Sequence, residues 1–395
     1  MGSDVNRRGF VGSVLGLTLS LVARVGASGG LTQQTSQQRR FLLWCDKGGL
    51  INPESSTDEK KVVKFVQKCS DHGVTHLVPW SGTSILVEAA REKGIVVHPY
   101  LAFNSHGSRR VSYAWSIDYI GGPPGSAEMR KKLELHQPIW SHPKSSPKLS
   151  EFARAHPDYW AQNRKRSDEL ESGQRRTLSL AVPQVREHEI SNYMEMVDRT
   201  GGHGVQVEFV SVNRDVNGVG TDGYEKSMVL AYKKKHRRNP MELPNGAPSW
   251  VQFRSDYTTV TMRQLREALR EKDSLAPMTA ALIAREMDEY VKVFQDWPTW
   301  VDQNLLDELH LWFRTTSDVR RVERQVSEAV KRIRGRCPVV AELSCYHVGS
   351  FQDPDVLMEA ARRARGSGAD AVGIYRSHAV EQLGFWPLVE KIAVL

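Results

Sequence analysis

Two glutamates stand inside apolar, strand-like runs. Glu208 lies in Gly204 to Val210 (GVQVEFV) and Glu342 in Pro338 to Ser344 (PVVAELS). A carboxylate in such a stretch is costly to desolvate unless it meets water, a partner or a substrate. Either one alone could be a hydrogen-bonded or ion-paired strand residue, but two on separate strands of one fold point to paired carboxyl chemistry. Alternation along the first run puts Gln206 and Glu208 on one face and Val205, Val207 and Phe209 on the other. Along the second run Val340, Glu342 and Ser344 share a face.

The elements that must position these side chains follow from short apolar runs alternating with amphipathic segments. Strands are expected at Phe41 to Cys45, His76 to Trp80, Ile95 to Ala102, Val205 to Val210, Met278 to Ile283, Leu305 to Trp312, Val339 to Ser344 and Ala371 to Tyr375. Helices are expected at Asp58 to His72, Ser84 to Lys93, Gln184 to Arg199, Trp250 to Lys272, Trp297 to Asn304, Ser317 to Arg334, Asp355 to Gly366 and Val380 to Ile392. Asp58, Ser84 and Ser317 read as helix caps, and Gly73, Gly94 and Gly368 as stops. Eight strands, each followed by a helix, are the count of an α/β fold of the (β/α)8 TIM-barrel type, over residues 41–395. Long insertions follow strands 3 and 4, at 103–176 and 211–249. In such a barrel they fall at the carboxyl-terminal mouth, where ligands bind.

The rest of the chain bounds the function. Its 395 residues are 40% apolar and 25% charged, the composition of a globular protein with a large core. The net charge of +8 is spread along the chain, and only Lys233 to Arg238 (KKKHRR) is a dense basic run, read first as a solvated helix end. No zinc spacing, helix-turn-helix or aromatic RNA-binding motif is present, so nucleic acid ranks low as a partner. The lysines and arginines would equally suit an anionic polysaccharide. Cys45, Cys69, Cys337 and Cys345 lie in or beside apolar elements and read as buried free thiols, with one disulfide possible.

At the amino terminus, Arg7-Arg8-Gly9-Phe10, the apolar run Val11 to Ala23 and Val25-Gly26-Ala27 resemble a twin-arginine export signal cleaved after Ala27. The apolar run is too short to span a bilayer. The expectation is a signal at 1–27, a polar linker at 28–40, no stable membrane insertion after cleavage, and a periplasmic or extracellular destination.

From about Phe41 onward the chain resembles the glycosyl-hydrolase-like family 10. The resemblance is carried by His156-Pro157-Asp158-Tyr159-Trp160 with Gln162-Asn163, and by Leu178 to His188 (LSLAVPQVREH). Gly223-Tyr224, Trp250, Arg254, Gln295-Asp296-Trp297 and Trp300 add to it. It implies a barrel assigned to carbohydrate hydrolysis. The family's fourth strand commonly carries Asp-Gly-Ile-x-Leu-Asp-x-Ile-Arg-Tyr-Pro. Here His203 to Asn213 keeps a carboxyl group, as Glu208, and lacks the Arg-Tyr-Pro. Glu342 stands where the family tends to have a small residue.

Carboxylates on strands 4 and 7 are similar to those of the large retaining glycosidase clan. That likeness implies Glu208 as acid/base and Glu342 as nucleophile, with no cofactor or metal. A carboxyl separation of roughly 5 to 5.5 Å would fit retention and about 6.5 to 9.5 Å inversion. Candidate carbohydrate-binding residues are Trp44, Trp80, His98, Tyr100, Gln206, Trp312, Tyr346 and Arg376. His310, His347 and His378 also fall toward the mouth. Trp115, Trp140 and Trp160 could stack on sugars, and Arg109-Arg110 with Lys165-Arg166 could bind sulfate or uronate. Trp250, Trp297 and Trp300 read as helix packing. The alternatives are a non-catalytic carbohydrate-binding barrel, and a metal-dependent hydrolase using His98, His310 and the two glutamates.

Overall fold

Runs of five or six apolar residues become strands here because β-branched and aromatic side chains fill both faces of a sheet that is covered on each side. The computed structural model describes residues 40–45, 58–80, 82–108, 112–113, 138–140, 148–166, 176–201, 204–209, 212–273, 275–347 and 349–395. The export signal, nearly all of the linker, Trp115, Arg109 and Arg110 lie outside the described residues. Trp140 closes a short strand, and nothing is described of its side chain.

The strands β1 (Arg40–Cys45), β2 (His76–Pro79), β3 in two pieces (Val96–Val97 and Tyr100–Ala102), β4 (Val205–Phe209), β5 (Met278–Ile283), β6 (Glu308–Phe313), β7 (Val339–Ser344) and β8 (Ala371–Tyr375) are all parallel to their neighbours. They pair in chain order, and β8 pairs with β1 through Gly373↔Leu42 and Tyr375↔Trp44. The first piece of β3 pairs with β2 and the second with β4. Pro99, which has no N–H to give a ladder, sits at the break between them. The Trp80↔Tyr100 bridge carries the pairing past it. The ring therefore closes through the two pieces of β3, as a (β/α)8 barrel requires.

Helices α1 (Glu59–Asp71), α2 (Ser84–Glu92), α3 (Pro183–Thr200), α4 (Lys226–His236), α5 (Pro248–Lys272), α6 (Trp297–Asp302), α7 (Val319–Ile333), α8 (Pro354–Gly366), α9 (Ser377–Gln382) and α10 (Trp386–Ala393) follow the strands. Their apolar faces bury Val62 and Val66 of α1, Val322 and Val326 of α7, and Leu357 and Ala361 of α8 against the outer face of the sheet. Trp297 and Trp300 are fully buried in that same layer.

Asp58 caps α1 as expected, its side chain accepting from Lys61 N. Two other caps shift by one residue. Thr83 Oγ1, not Ser84, accepts from Leu86 N (3.2 Å). Asp318, not Ser317, accepts from Arg320 N (2.9 Å) and Arg321 N (3.2 Å). A cap side chain must precede the first helical residue to reach the free N–H groups, and each serine is one position out of place.

The expected last helix is broken between α9 and α10, where Gly384 takes φ +66°. β6 starts at Glu308 rather than Leu305, because the Asp307 carboxylate turns aside to accept from Met278 N (2.7 Å) and Arg266 Nη1 (2.6 Å).

The long insertions carry structure of their own. In the first, Gly107–Ser108 pairs with Lys148–Leu149 and Ser112–Tyr113 with Pro138–Trp140, ahead of a one-turn helix, Glu151–Ala155, capped by Ser150. Trp160 is structural there: its indole donates to Ala153 O (2.7 Å) under the Arg176 guanidinium. In the second, α4 and Trp250 of α5 build a small cluster from Tyr224, Met228, Tyr232, Leu243 and Phe253. The basic run Lys233 to Arg238 ends α4, where Lys235 pairs with Asp256. All four cysteines are buried thiols outside any disulfide among the described residues.

Candidate active site in the barrel interior

The faces of the strands that turn away from the helices meet inside the ring. Leu42 and Trp44 of β1, Val78 of β2, Tyr100 of β3, Trp312 of β6, Val340 of β7 and Ala371 and Tyr375 of β8 form one buried cluster. Trp80, Ile283 and Tyr346 pack on it. Five of the expected binding residues, Trp44, Trp80, Tyr100, Trp312 and Tyr346, therefore come together. Trp80 meets Tyr100 edge-on at 5.2 Å, and Trp312 meets Tyr375 at 4.7 Å.

Glu208 and Glu342 both face this interior, 5% and 1% exposed. Glu342 pairs in register with Trp312 and Gly373, and Glu208 with Ala281 and Ala102. Burial, and then the charge of Glu208, push the Glu342 carboxyl well above the usual range, which favours its protonated form. Its Oε2 has no hydrogen-bond partner among the described residues. The same holds for Trp312 Nε1 and for both amide atoms of Gln206. Buried polar groups are normally paired, so a cluster of unmet ones marks a place for water or substrate.

A chain of polar contacts rises from β7 to β6. Arg314 Nε donates to His347 Nε2 (3.2 Å). The imidazole proton must then sit on Nδ1, which donates to Ser344 Oγ (2.9 Å). Burial, and next the charges of Arg314 and Arg376, hold the His347 pKa well below its ordinary value, which keeps this tautomer neutral. Arg314 also feels the charge of Glu208. His347 stacks on Tyr375 at 5.4 Å, and the Arg376 guanidinium lies 3.6 Å from the Tyr346 ring centroid.

His98 belongs elsewhere. It faces His76 at 5.9 Å in a polar layer that includes Arg40, Glu308 and His310. Arg40 Nη2 donates to Glu308 Oε1 (2.5 Å), and His310 Nε2 lies 3.3 Å from Glu308 Oε2. Arg40, His76 and Glu308 each open their strand, so this layer is at the amino-terminal end of the barrel, away from the mouth. Burial raises the Glu308 pKa, but the His310 bond and the charges of His310, Arg40 and His98 outweigh it and leave the carboxyl at about 2. Burial, and then the charges of Arg40 and His98, hold His76 down at about 3. His98, His310 and the two glutamates do not form the metal centre considered from sequence. Among the described residues no group of three or more His, Cys, Asp or Glu is placed to hold an ion.

Sequence reasoning missed Arg314 and Tyr375. Both sit at the carboxyl ends of barrel strands, the position at which this fold presents functional groups, and that is the signal that would have found them.

The comparisons agree with this architecture. The model of the family described as glycosyl hydrolase-like 10 matches residues 128–354. The glycoside hydrolase domain of PgaB (BpsB) from Bordetella bronchiseptica superposes with a TM-score of 0.58 at 13% identity, over 90% of this chain and 98% of that one. A β-galactosidase from the psychrophilic Marinomonas ef1 superposes with a TM-score of 0.56 at 11% identity, over 90% of this chain and 60% of that one. Both are likenesses of fold. No curated protein matches the sequence. With more than half of its length matched by the family model, on a closed eight-stranded barrel, the chain belongs to the glycosyl hydrolase-like 10 family.

Proposed function

We propose that the protein is an exported glycoside hydrolase that cleaves a polysaccharide with the carboxyl pair Glu208 and Glu342. The observation that carries this reading is the buried Glu342 carboxyl, whose Oε2 has no hydrogen-bond partner among the described residues and which feels the charge of Glu208 inside a tryptophan- and tyrosine-lined barrel.

The roles run opposite to those that strand order implied. Glu342 carries the proton, because burial disfavours its charged form; it serves as general acid toward the glycosidic oxygen. Glu208, beside the Arg314 charge, is the carboxylate that attacks the anomeric carbon. Burial first, and then the charge of Glu208, raise Glu342, and a retaining mechanism would need the two carboxyl groups roughly 5 to 5.5 Å apart. Trp44, Trp80, Tyr100, Trp312, Tyr346, Gln206 and Arg376 would hold the sugar through ring faces and hydrogen bonds. The test is NMR of the first product formed from a panel of neutral and anionic polysaccharides: the newly released anomer should match the substrate's configuration.

The near-complete burial of both carboxylates favours one competitor, a carbohydrate-binding barrel without turnover. Glycan binding with no product from any member of the panel would establish it instead.

A further inference from the structure

Behind β4, on the face away from Glu208, a cavity of about 80 Å3 opens between the two insertions and the loop after β5. Its lining includes the apolar Phe103, Phe209 and Phe294 and the acids Asp222 and Glu225. Asp222 is satisfied by Thr177 Oγ1 (2.8 Å) and Asn213 Nδ2 (3.0 Å). Glu225 is not. Its Oε2 accepts from Gln162 N (3.1 Å), whereas Oε1 is buried without a hydrogen-bond partner among the described residues. Gln295, which also lines the cavity, has its Oε1 buried without a hydrogen-bond partner among the described residues.

The neighbouring cation Arg254 feels the charge of both acids but gives its hydrogen bonds to neither carboxylate. Arg254 gives its N–H groups to the carbonyls of Gly220 (2.9 Å), Asp222 (3.0 Å) and Asn245 (2.8 Å), to Asn245 Oδ1 (3.1 Å) and to Trp250 O (3.4 Å). That spends its donors on holding the loop together. Gly223, at φ +111°, permits the arrangement, since a Cβ there would stand 2.6 Å from Arg254 Cδ.

The cavity thus offers two acceptor oxygens, one from a carboxyl group, beside a hydrocarbon wall. We propose that it binds a primary ammonium carried on a small apolar body, with N–H groups donating to Glu225 Oε1 and Gln295 Oε1. A hydroxyl would satisfy the geometry, but a charge-assisted bond to a buried carboxylate is roughly twice as strong. Burial raises the Glu225 pKa against the hydrogen bonds of Ser179 and Gln162, and a docked cation would further favour the ionised form. At roughly 10–15 Å3 of such volume per water, the cavity suits a ligand of about five to eight non-hydrogen atoms.

The site is separate from the carboxyl pair, and its test reads binding rather than turnover. Calorimetric titration of the full chain with cyclohexylamine at pH 8 should show one saturable site, with cyclohexanol and cyclohexanecarboxylate at least about tenfold weaker. Glu225→Gln, which keeps an oxygen for Gln162 N, should lose about tenfold in amine affinity, and Gln295→Met several-fold, with thermal unfolding checking that each variant is folded. The proposal is overturned if the alcohol binds as well as the amine, if a folded Glu225→Gln or Gln295→Met protein binds like the wild type, or if the wild type shows no saturable site.

Discussion

The ring of Trp44 fills the space that a side chain at position 373 would need: a Cβ on Gly373 would stand 2.2 Å from Trp44 Cζ3. β1 and β8 are in register there, and the absence of a side chain on one strand lets the indole of the other lie across the barrel interior. Gly373→Ala should therefore cost about 1–3 kcal/mol through overpacking. Denaturant unfolding would measure it, and Trp44→Leu in the same chain should recover most of the loss.

The two carboxyl groups predict separable defects. Glu342→Gln and Glu208→Gln should each lower kcat by about 10²–10⁴-fold. Azide distinguishes the roles: the Glu342→Ala variant should yield a glycosyl azide of retained configuration, and the Glu208→Ala variant one of inverted configuration. The reverse pattern would restore the assignment that strand order implied.

Glu342 also makes stability depend on pH. Its folded pKa lies above the ordinary glutamate value of 4.5, so the folded protein binds the proton more tightly than the unfolded chain. The resulting stabilisation is complete below about pH 4.5 and is lost as pH rises toward the folded value. Glu342→Gln, which cannot ionise, should unfold at nearly the wild-type temperature at pH 4 and at a higher one at pH 8. Melting curves across that range are the check.

Glu308 acts in the opposite sense. With a folded pKa of about 2 against 4.5, its contribution is present above pH 4.5 and disappears as the pH falls to about 2. Glu308→Gln should be less stable than wild type at pH 6, and the difference should vanish near pH 2. A constant difference throughout acid titration would show that the loss is one of packing alone.

The barrel was legible because its strands and helices differ in period, and because Gly73, Gly94 and Gly368 end helices in backbone with positive φ. The inward turn of Glu208 and Glu342 followed from alternation alone. The role of each glutamate was not legible, since it depends on how completely the other strands desolvate it. His98 was misplaced for a related reason: it adjoins the break in β3 at Pro99, and its company with His76 and Glu308 arises only when the ring closes. Tertiary proximity of Arg314, His347 and Ser344 across β6 and β7 is likewise invisible in one dimension.

That break has a mechanical meaning. Elsewhere neighbouring strands are zipped by four or five paired residues, but the first piece of β3 holds β2 by two and the second piece holds β4 by three. The barrel is thus fastened by a clasp rather than a continuous seam, and the first long insertion springs from the clasp itself. Amides around Tyr100 and Leu101 should be the first in the sheet to exchange with solvent, the point at which the ring breathes open before it unfolds.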